Sequence, residues 1–365
     1  MAESKAEVPQ VALRRFERLP TRKIVLVVLS VGIVLGVSLA AWKTLTLPAG
    51  ERYSGAAWRD FVVLGVAQGA VYALIALGYS LVYGILQMIN FAHGEVFMWG
   101  AFASYFFAAA YAESEFLDRN PIPALAILFA TAIFVSVLVA VLLERIAYRP
   151  LRHAPRLVPL ITALGASLFL RESAGRIFSA QTFHYPKPDL LDGTWKVLGI
   201  PMSRTSVIVL VVAIMAVALL TLFIRRTKTG KSMRAVAEDK EIASLMGIDV
   251  DRVIVTTFAV GGVLAGIAAV LFAITFEFVN FGMGFAPGIA AFTAAVLGGI
   301  GSIAGAALGG LVLGLLQSVG PPLLLTGINV PSPFQLKDVV TFTVLVLVLI
   351  FRPGGILGRE EAEKV

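Results

Sequence analysis

The polar side chains most able to do chemistry inside this apolar chain are Gln87, Asn90, His93 and Glu95, gathered in the nine-residue run QMINFAHGE. An amide, an imidazole and a carboxylate between hydrophobic stretches can hydrogen-bond a small polar solute. Each of them is costly at membrane depth unless it is paired or wet. Gly84 and Gly94 flank the run, so the helix can unwind there and release backbone amides and carbonyls for a ligand, as broken helices do in transporters. The other reading is a tight cytoplasmic turn between two full spans, with Glu95 a first-turn charge on the following helix. Spacing alone leaves both open. His93 has no second His or carboxylate at metal-binding distance along the chain, so no metal is expected.

Thr293 and Ser302, set among Gly298, Gly299, Gly301 and Gly305, form a second group. Small residues at this density let helices approach closely, and the same smallness suits the wall of a pore. No nucleophile, base and orienting group fall into a recognisable arrangement, so no catalytic residue and no cofactor are expected. Gly230, Lys231 and Ser232 spell the end of a phosphate-binding loop. The Gly that such a loop needs five residues earlier is Arg225, and no strand precedes it. ATP is not bound through that triplet.

These residues are positioned by helices. The composition is 58% hydrophobic and 15% charged, and the mean hydropathy is +0.88, values outside the range of soluble domains. Several runs reach the roughly 20 apolar residues needed to cross the hydrocarbon core. The fold class is therefore all-α, a polytopic transmembrane bundle of about ten spans with broken helices where glycine accumulates. The net charge of +7 would suggest nucleic acid in a soluble protein. Here Lys and Arg collect in a few loops, which the positive-inside rule places in the cytoplasm. There is no Cys, hence no disulfide or thiolate site.

In chain order, residues 1–23 read as a basic cytoplasmic tail and Ile24 to Trp42 as an uncleaved first span. Spans follow at Phe61 to Leu86, Val96 to Tyr111, Pro121 to Leu143, Leu157 to Ile177, Thr205 to Ile224 and Val253 to Phe276. The loop from Glu144 to Arg156 carries four Arg and suits the cytoplasm, whereas Phe178 to Ser203 suits the outside. Phe285 to Val319 is too long and too rich in Gly for one helix, and breaks at Gly298 to Gly305. Val339 to Phe351 returns inward, which places both termini in the cytoplasm.

The remaining long polar stretch, Arg225 to Arg252, holds six Lys and Arg between Arg225 and Lys240, which marks it as cytoplasmic. Its periodicity predicts a helix closed by a left-handed residue at Gly247. On that helix Ala235, Val236, Ile242, Ala243 and Met246 share one arc, with Asp239 the lone charge among them. Such a face fits a groove on another protein. A helix lying on the membrane surface and a plain charged loop are the competing readings.

At this point the chain resembles a known family. Gly69 to Phe102 (GAVYALIALGYSLVYGILQMINFAHGEVFMWGAF) is similar to the N-terminal signature of permease subunits of branched-chain amino acid ATP-binding-cassette (ABC) transporters. Arg234 to Ile254 resembles their ATPase-docking motif, with Glu241, Ala243 and Gly247 at its core positions and Ile242 where an Ala is usual. Ala291 to Leu316 and Phe351 to Gly358 match as well, so the likeness runs from about residue 60 to 358. It departs at Ala290, where a Lys is common.

The resemblance implies an importer in the inner membrane. Its parts are two homologous permease subunits, two ATP-binding subunits and an external solute-binding protein, with lipid around them and no nucleic acid. It implies an ATPase-coupling helix carrying Asp239, Glu241, Ala243, Met246 and Gly247, and a substrate pathway through Gln87, Asn90, His93, Glu95, Thr293 and Ser302. The cargo is a branched-chain amino acid or a related small polar solute, with urea and short amides the alternative. An ion-coupled carrier is the reading from another class. The expected organisation is a tail with an added helix (1–57), the permease (58–358) and a short tail (359–365).

Overall fold

The computed structural model of the chain describes residues 20–48, 50–152, 154–155, 157–197, 199–352 and 354–358, with side chains from residue 26 onward. The expected tail residues 1–19 and 359–365 lie outside the described residues.

Thirteen α-helices are described: α1 (Pro20–Leu45), α2 (Gly55–Leu86), α3 (His93–Glu113), α4 (Phe116–Arg119), α5 (Pro121–Leu143), α6 (Leu157–Phe178), α7 (Arg204–Arg226), α8 (Lys228–Glu238), α9 (Lys240–Leu245), α10 (Val250–Phe276), α11 (Phe285–Gly298), α12 (Ile303–Leu325) and α13 (Lys337–Phe351). Eight helical stretches have the length and hydropathy of membrane spans, against about ten expected; the expected run Val96 to Tyr111 lies in α3, which is not among the eight, and α11 is a shorter apolar helix. The helix α11, at 14 residues, rises only about 21 Å and cannot cross the bilayer alone. Gly299, at φ +106°, ends it in a conformation that favours glycine, and Ser302 starts α12 three residues later by accepting from the Gly305 N–H at 3.1 Å.

The chain divides into two compact units, and the described residues of the first are those from 20 to 52 with Leu323–Pro331. Within it the Gly327 N–H donates to Thr44 Oγ1 at 2.9 Å. The side chains of α1 from Leu26 onward are almost all exposed and mostly Val, Leu, Ile and Ala, the surface that lipid requires.

The second unit is built around α2 and α10, the two most buried spans, with α5, α7 and α13 at its periphery. Glycine sets the closest approaches. A Cβ on Gly314 of α12 would fall 2.3 Å from the Gly69 Cα of α2, and one on Gly266 of α10 would fall 2.6 Å from the Ile133 Cα of α5. Backbones in contact gain dispersion energy that lipid cannot supply, and this drives helix association in a bilayer. A buried polar cluster adds to it. Gln68 and Tyr72 of α2 hydrogen-bond Gln317 of α12 at 2.7 Å each, and Gln317 reaches Thr341 of α13.

The polar loop after α6 contains two short pairings. The strands β2 (Thr194–Val197) and β3 (Ile200–Ser203) form an antiparallel hairpin. The two-residue strand β1 (Phe183–His184) pairs with β4 (Phe278–Val279), which follows α10. Lys187 holds this junction, reaching Glu277 at 2.5 Å and Asp192 at 2.9 Å. Partial burial lowers the Lys187 pKa, but the bonds to the two carboxylates outweigh it and the net shift is upward.

Candidate functional site

The helix α2 ends at Leu86 with Gln87 in the left-handed conformation, its N–H donating to the Tyr83 carbonyl at 2.7 Å. The chain then doubles back. The His93 ring packs edge-on against Tyr79 at 4.9 Å, and a Cβ on Gly78 would lie only 2.1 Å from its Nε2. Gly78 precedes the end of α2 by eight residues, or about 12 Å of helix rise. The helix α3 therefore starts beside the body of α2 instead of beyond its tip.

Three of the expected pathway residues are buried together here. The Asn90 Oδ1 accepts from the Tyr148 hydroxyl at 2.7 Å. Glu95 Oε1 accepts from Ser167 of α6 at 3.2 Å. Glu95 Oε2 and His93 Nε2 have no hydrogen-bond partner among the described residues. Gln87, by contrast, is exposed, and Thr293 spends its hydroxyl on the Ile289 carbonyl of its own helix at 2.8 Å. The Ser302 hydroxyl oxygen caps α12 by accepting from the Gly305 N–H at 3.1 Å.

Beside Asn90 a narrow, partly open cleft lies between the end of α2 and α11. Its walls are Tyr79, Tyr83, Ile89, Phe292, Ala295 and Ile300. The sequence reading passed over these aromatics, because Tyr and Phe in a span look like packing. The available signal was Tyr79 and Tyr83 four residues apart, on one face of the helix that leads into QMINFAHGE.

The far end of α11 is held by the C-terminal loop. The Ile356 and Leu357 N–H groups donate to the carbonyls of Leu297 and Gly298 at 2.8 and 2.9 Å. These are two of the four carbonyls that a helix leaves unpaired at its C-terminus. The motif FRPGGILG thus finishes α11.

A second polar cluster lies where α5 meets α10. The last turn of α5 widens into a π-turn, Glu144–Tyr148, and tightens into a 3₁₀ turn, Arg149–Leu151. Arg152 binds both Glu144 and Asp251 of α10, and Arg149 binds Asp251 at 2.8 Å. Tyr148, in the same π-turn, is the residue that reaches Asn90.

The helix expected across residues 234–247 is instead two helices. Asp239 does not sit on an apolar arc. It is extended at φ −156°, and its carboxylate accepts from the N–H groups of Glu241 and Ile242 at 2.9 and 3.0 Å, capping α9. A short acidic side chain gains more by satisfying orphan amides than by staying helical, and this overrides the 3.6-residue pattern. The arc is split accordingly: Val236 and Ala243 are buried, while Ile242, Leu245 and Met246 project outward, Leu245 at 86% and Met246 at 77% exposure. Gly247, at φ +79°, closes α9 as expected. Its N–H bonds the Ser244 carbonyl at 2.9 Å and the Ile248 N–H bonds that of Ala243 at 3.1 Å, a Schellman turn. Glu241 is exposed at the start of the same helix. Gly230 is packed on Ile224, where a Cβ would meet backbone at 2.5 Å, so that triplet forms a corner between α7 and α8.

The sequence pattern of the branched-chain amino acid transport system permease component matches residues 61–349. The chain belongs to this family. The permease is 45% identical over 309 residues to the high-affinity branched-chain amino acid transport system permease protein BraD of Pseudomonas aeruginosa, covering 83% of this chain and 97% of that one. It is 42% identical over 306 residues to LivH of Escherichia coli K12, covering 82% and 96%. A probable branched-chain amino acid permease of Methanocaldococcus jannaschii is 26% identical over 294 residues, covering 78% and 88%. The permease is a multi-pass membrane protein, and its family match begins after α1. Ala290, at the position where the resemblance leads one to expect Lys, is buried in α11.

Proposed function

We propose that this permease is the membrane-spanning subunit of an ABC importer for branched-chain amino acids. It works with a second homologous permease, two ATP-binding subunits and an external solute-binding protein, in the inner membrane with both termini cytoplasmic. ATP is hydrolysed by the partner subunits. Residues 58–358 form the permease, preceded by a tail and added helix (1–57) and followed by a tail (359–365).

The observation that carries this reading is the ridge of Ile242, Leu245 and Met246 on α9. Large apolar side chains set side by side on a polar segment outside the spans are costly in water and fit a partner's groove. Asp239, Glu241, Ala243 and Gly247 shape that ridge by capping, seating and closing the helix. Behind it the chain runs into α10 and the Arg152 cluster, and from there through Tyr148 to Asn90. Movement imposed on α9 by an ATP-driven partner has a packed, hydrogen-bonded route to the cleft. The cleft's apolar and aromatic walls suit a branched aliphatic side chain better than they suit urea.

The test is Leu245→Asp with Met246→Asp. Both side chains are exposed, so folding changes little. The variant is expected in the membrane at the normal level, without co-purifying ATP-binding subunits and without uptake. Normal association and uptake would refute the docking surface.

A further inference from the structure

Glu95 is 1% exposed, and Oε2 of its carboxylate meets no donor among the described residues. Its other oxygen has only the Ser167 hydroxyl. Arg171, one turn further along α6, is paired with Glu172 at 3.1 Å. A carboxylate left this way in an apolar interior takes up a proton or pairs with a cation.

The surroundings are shaped to bring Oε2 to one place. A Cβ on Gly284 would lie 2.4 Å from it, and a Cβ on Gly94 would lie 2.3 Å from the Gly284 carbonyl. Thus α3 and the start of α11 approach most closely at Gly94 and Gly284, with the Glu95 carboxylate beside them. Gly284 is the N-cap of α11 and provides no side-chain cap. No α11 amide donates to Glu95 among the described residues, so the carboxylate is not serving as that cap. The acceptor oxygen and the positive end of a 14-residue helix therefore lie side by side with no hydrogen bond between them among the described residues.

We infer that Glu95 Oε2 receives the ammonium group of the cargo when α11 moves off α3, while the cargo carboxylate turns to the α11 N-terminus. An α-amino acid carries the two groups about one carbon apart, as this pairing requires. A glycine contact separates and closes again without interlocked side chains. The inference rests on the amino-acid reading above, and it adds the group that recognises the charged head.

The experiment uses the complete transporter in proteoliposomes with its solute-binding protein, measuring labelled leucine uptake and ATP hydrolysis together. Glu95→Gln keeps the shape and removes the charge. The expected result is at least a tenfold loss of uptake, with stimulated ATP hydrolysis within twofold of the parent and no fall in thermal midpoint. Glu95→Asp is expected to restore part of the uptake.

A second measurement needs no variant. Dicyclohexylcarbodiimide modification of Glu95 in the parent transporter, read by peptide mass spectrometry, is expected to be slowed several-fold by leucine and not by 4-methylpentanoate, which lacks the ammonium. Parental uptake by Glu95→Gln, or equal labelling with and without leucine, overturns the inference and leaves the amino-acid reading standing. A parent transporter that moves urea or short amides but not leucine sinks that reading itself.

Discussion

Glu144 and Glu95 are both buried carboxylates in the same helical unit, at 0% and 1% exposure, and the fold treats them in opposite ways. Glu144 is paired through Oε1 with Arg152, which also grips Asp251, although its Oε2, like that of Glu95, meets no donor among the described residues. Glu95 has one hydroxyl for one oxygen and nothing for the other. A paired charge in a low-dielectric interior fixes geometry, whereas an unpaired one stores an unmet demand. The first cluster locks the corner between α5 and α10. The second sits where two helices make their closest approach at glycines.

The sharpest way to break the comparison is to turn the first carboxylate into the second. Arg152→Ala leaves Glu144 buried without its cation, and a loss of about 3 kcal/mol or more is expected, read as a fall in thermal midpoint in detergent. Adding Glu144→Met to the variant is expected to recover much of it. Equal stability of Arg152→Ala and the parent would mean that the corner is not held by its charges.

Tyr148 joins the two regions, and its removal has a smaller effect. Tyr148→Phe leaves the buried Asn90 Oδ1 without a donor, at a cost of about 1–3 kcal/mol. Fewer amino acids imported per ATP, with ATP-binding subunits still attached, is the functional result expected. An unchanged ratio would show that the corner and the cleft move independently.

The smallest effect belongs to a third ionic site, the partly exposed Lys187 with Glu277 and Asp192, which serves as a control. Its pKa is raised in the folded state, so its stabilisation is complete below the ordinary value of 10.5 and fades only as pH rises through the folded value. Lys187→Met is therefore expected to lower the midpoint slightly, by under about 1 kcal/mol, and by the same amount at pH 7 and pH 9. A deficit that varies between those two values would contradict the upward shift.

Much of the fold was legible because lipid imposes length and apolarity on each span. Hydropathy found α2, α5, α7 and α10, and the glycines from 298 to 305 announced the short α11. Capping was harder to see. Asp239 falls on the apolar arc by arithmetic, and only competition between its carboxylate and the helix explains why α8 and α9 are separate. The Glu144, Arg152 and Asp251 cluster was hidden because ERIAYRPLRHAPR reads as a basic loop, and Asp251 lies far along the chain. The same distance hid Gln68 and Gln317, whose pairing depends on how α2 crosses α12. Within the site, the rarity of Asn90, His93 and Glu95 in an apolar chain singled them out, but spacing alone left a buried site and a cytoplasmic turn both open, and Gln87 from the same run is exposed. The aromatic walls did not, since nothing local separates a lining Tyr from a packing one.

The C-terminal loop has a mechanical consequence for α11. Ile356 and Leu357 clamp one end of this rod by backbone bonds, while the opposite end rests against Gly94 and Glu95. A rod about 21 Å long that pivots at its clamped end by about 10° carries its free tip about 4 Å. In such a pivot the largest excursion falls at the carboxylate of Glu95, with the loop through Ile356 and Leu357 as the fulcrum.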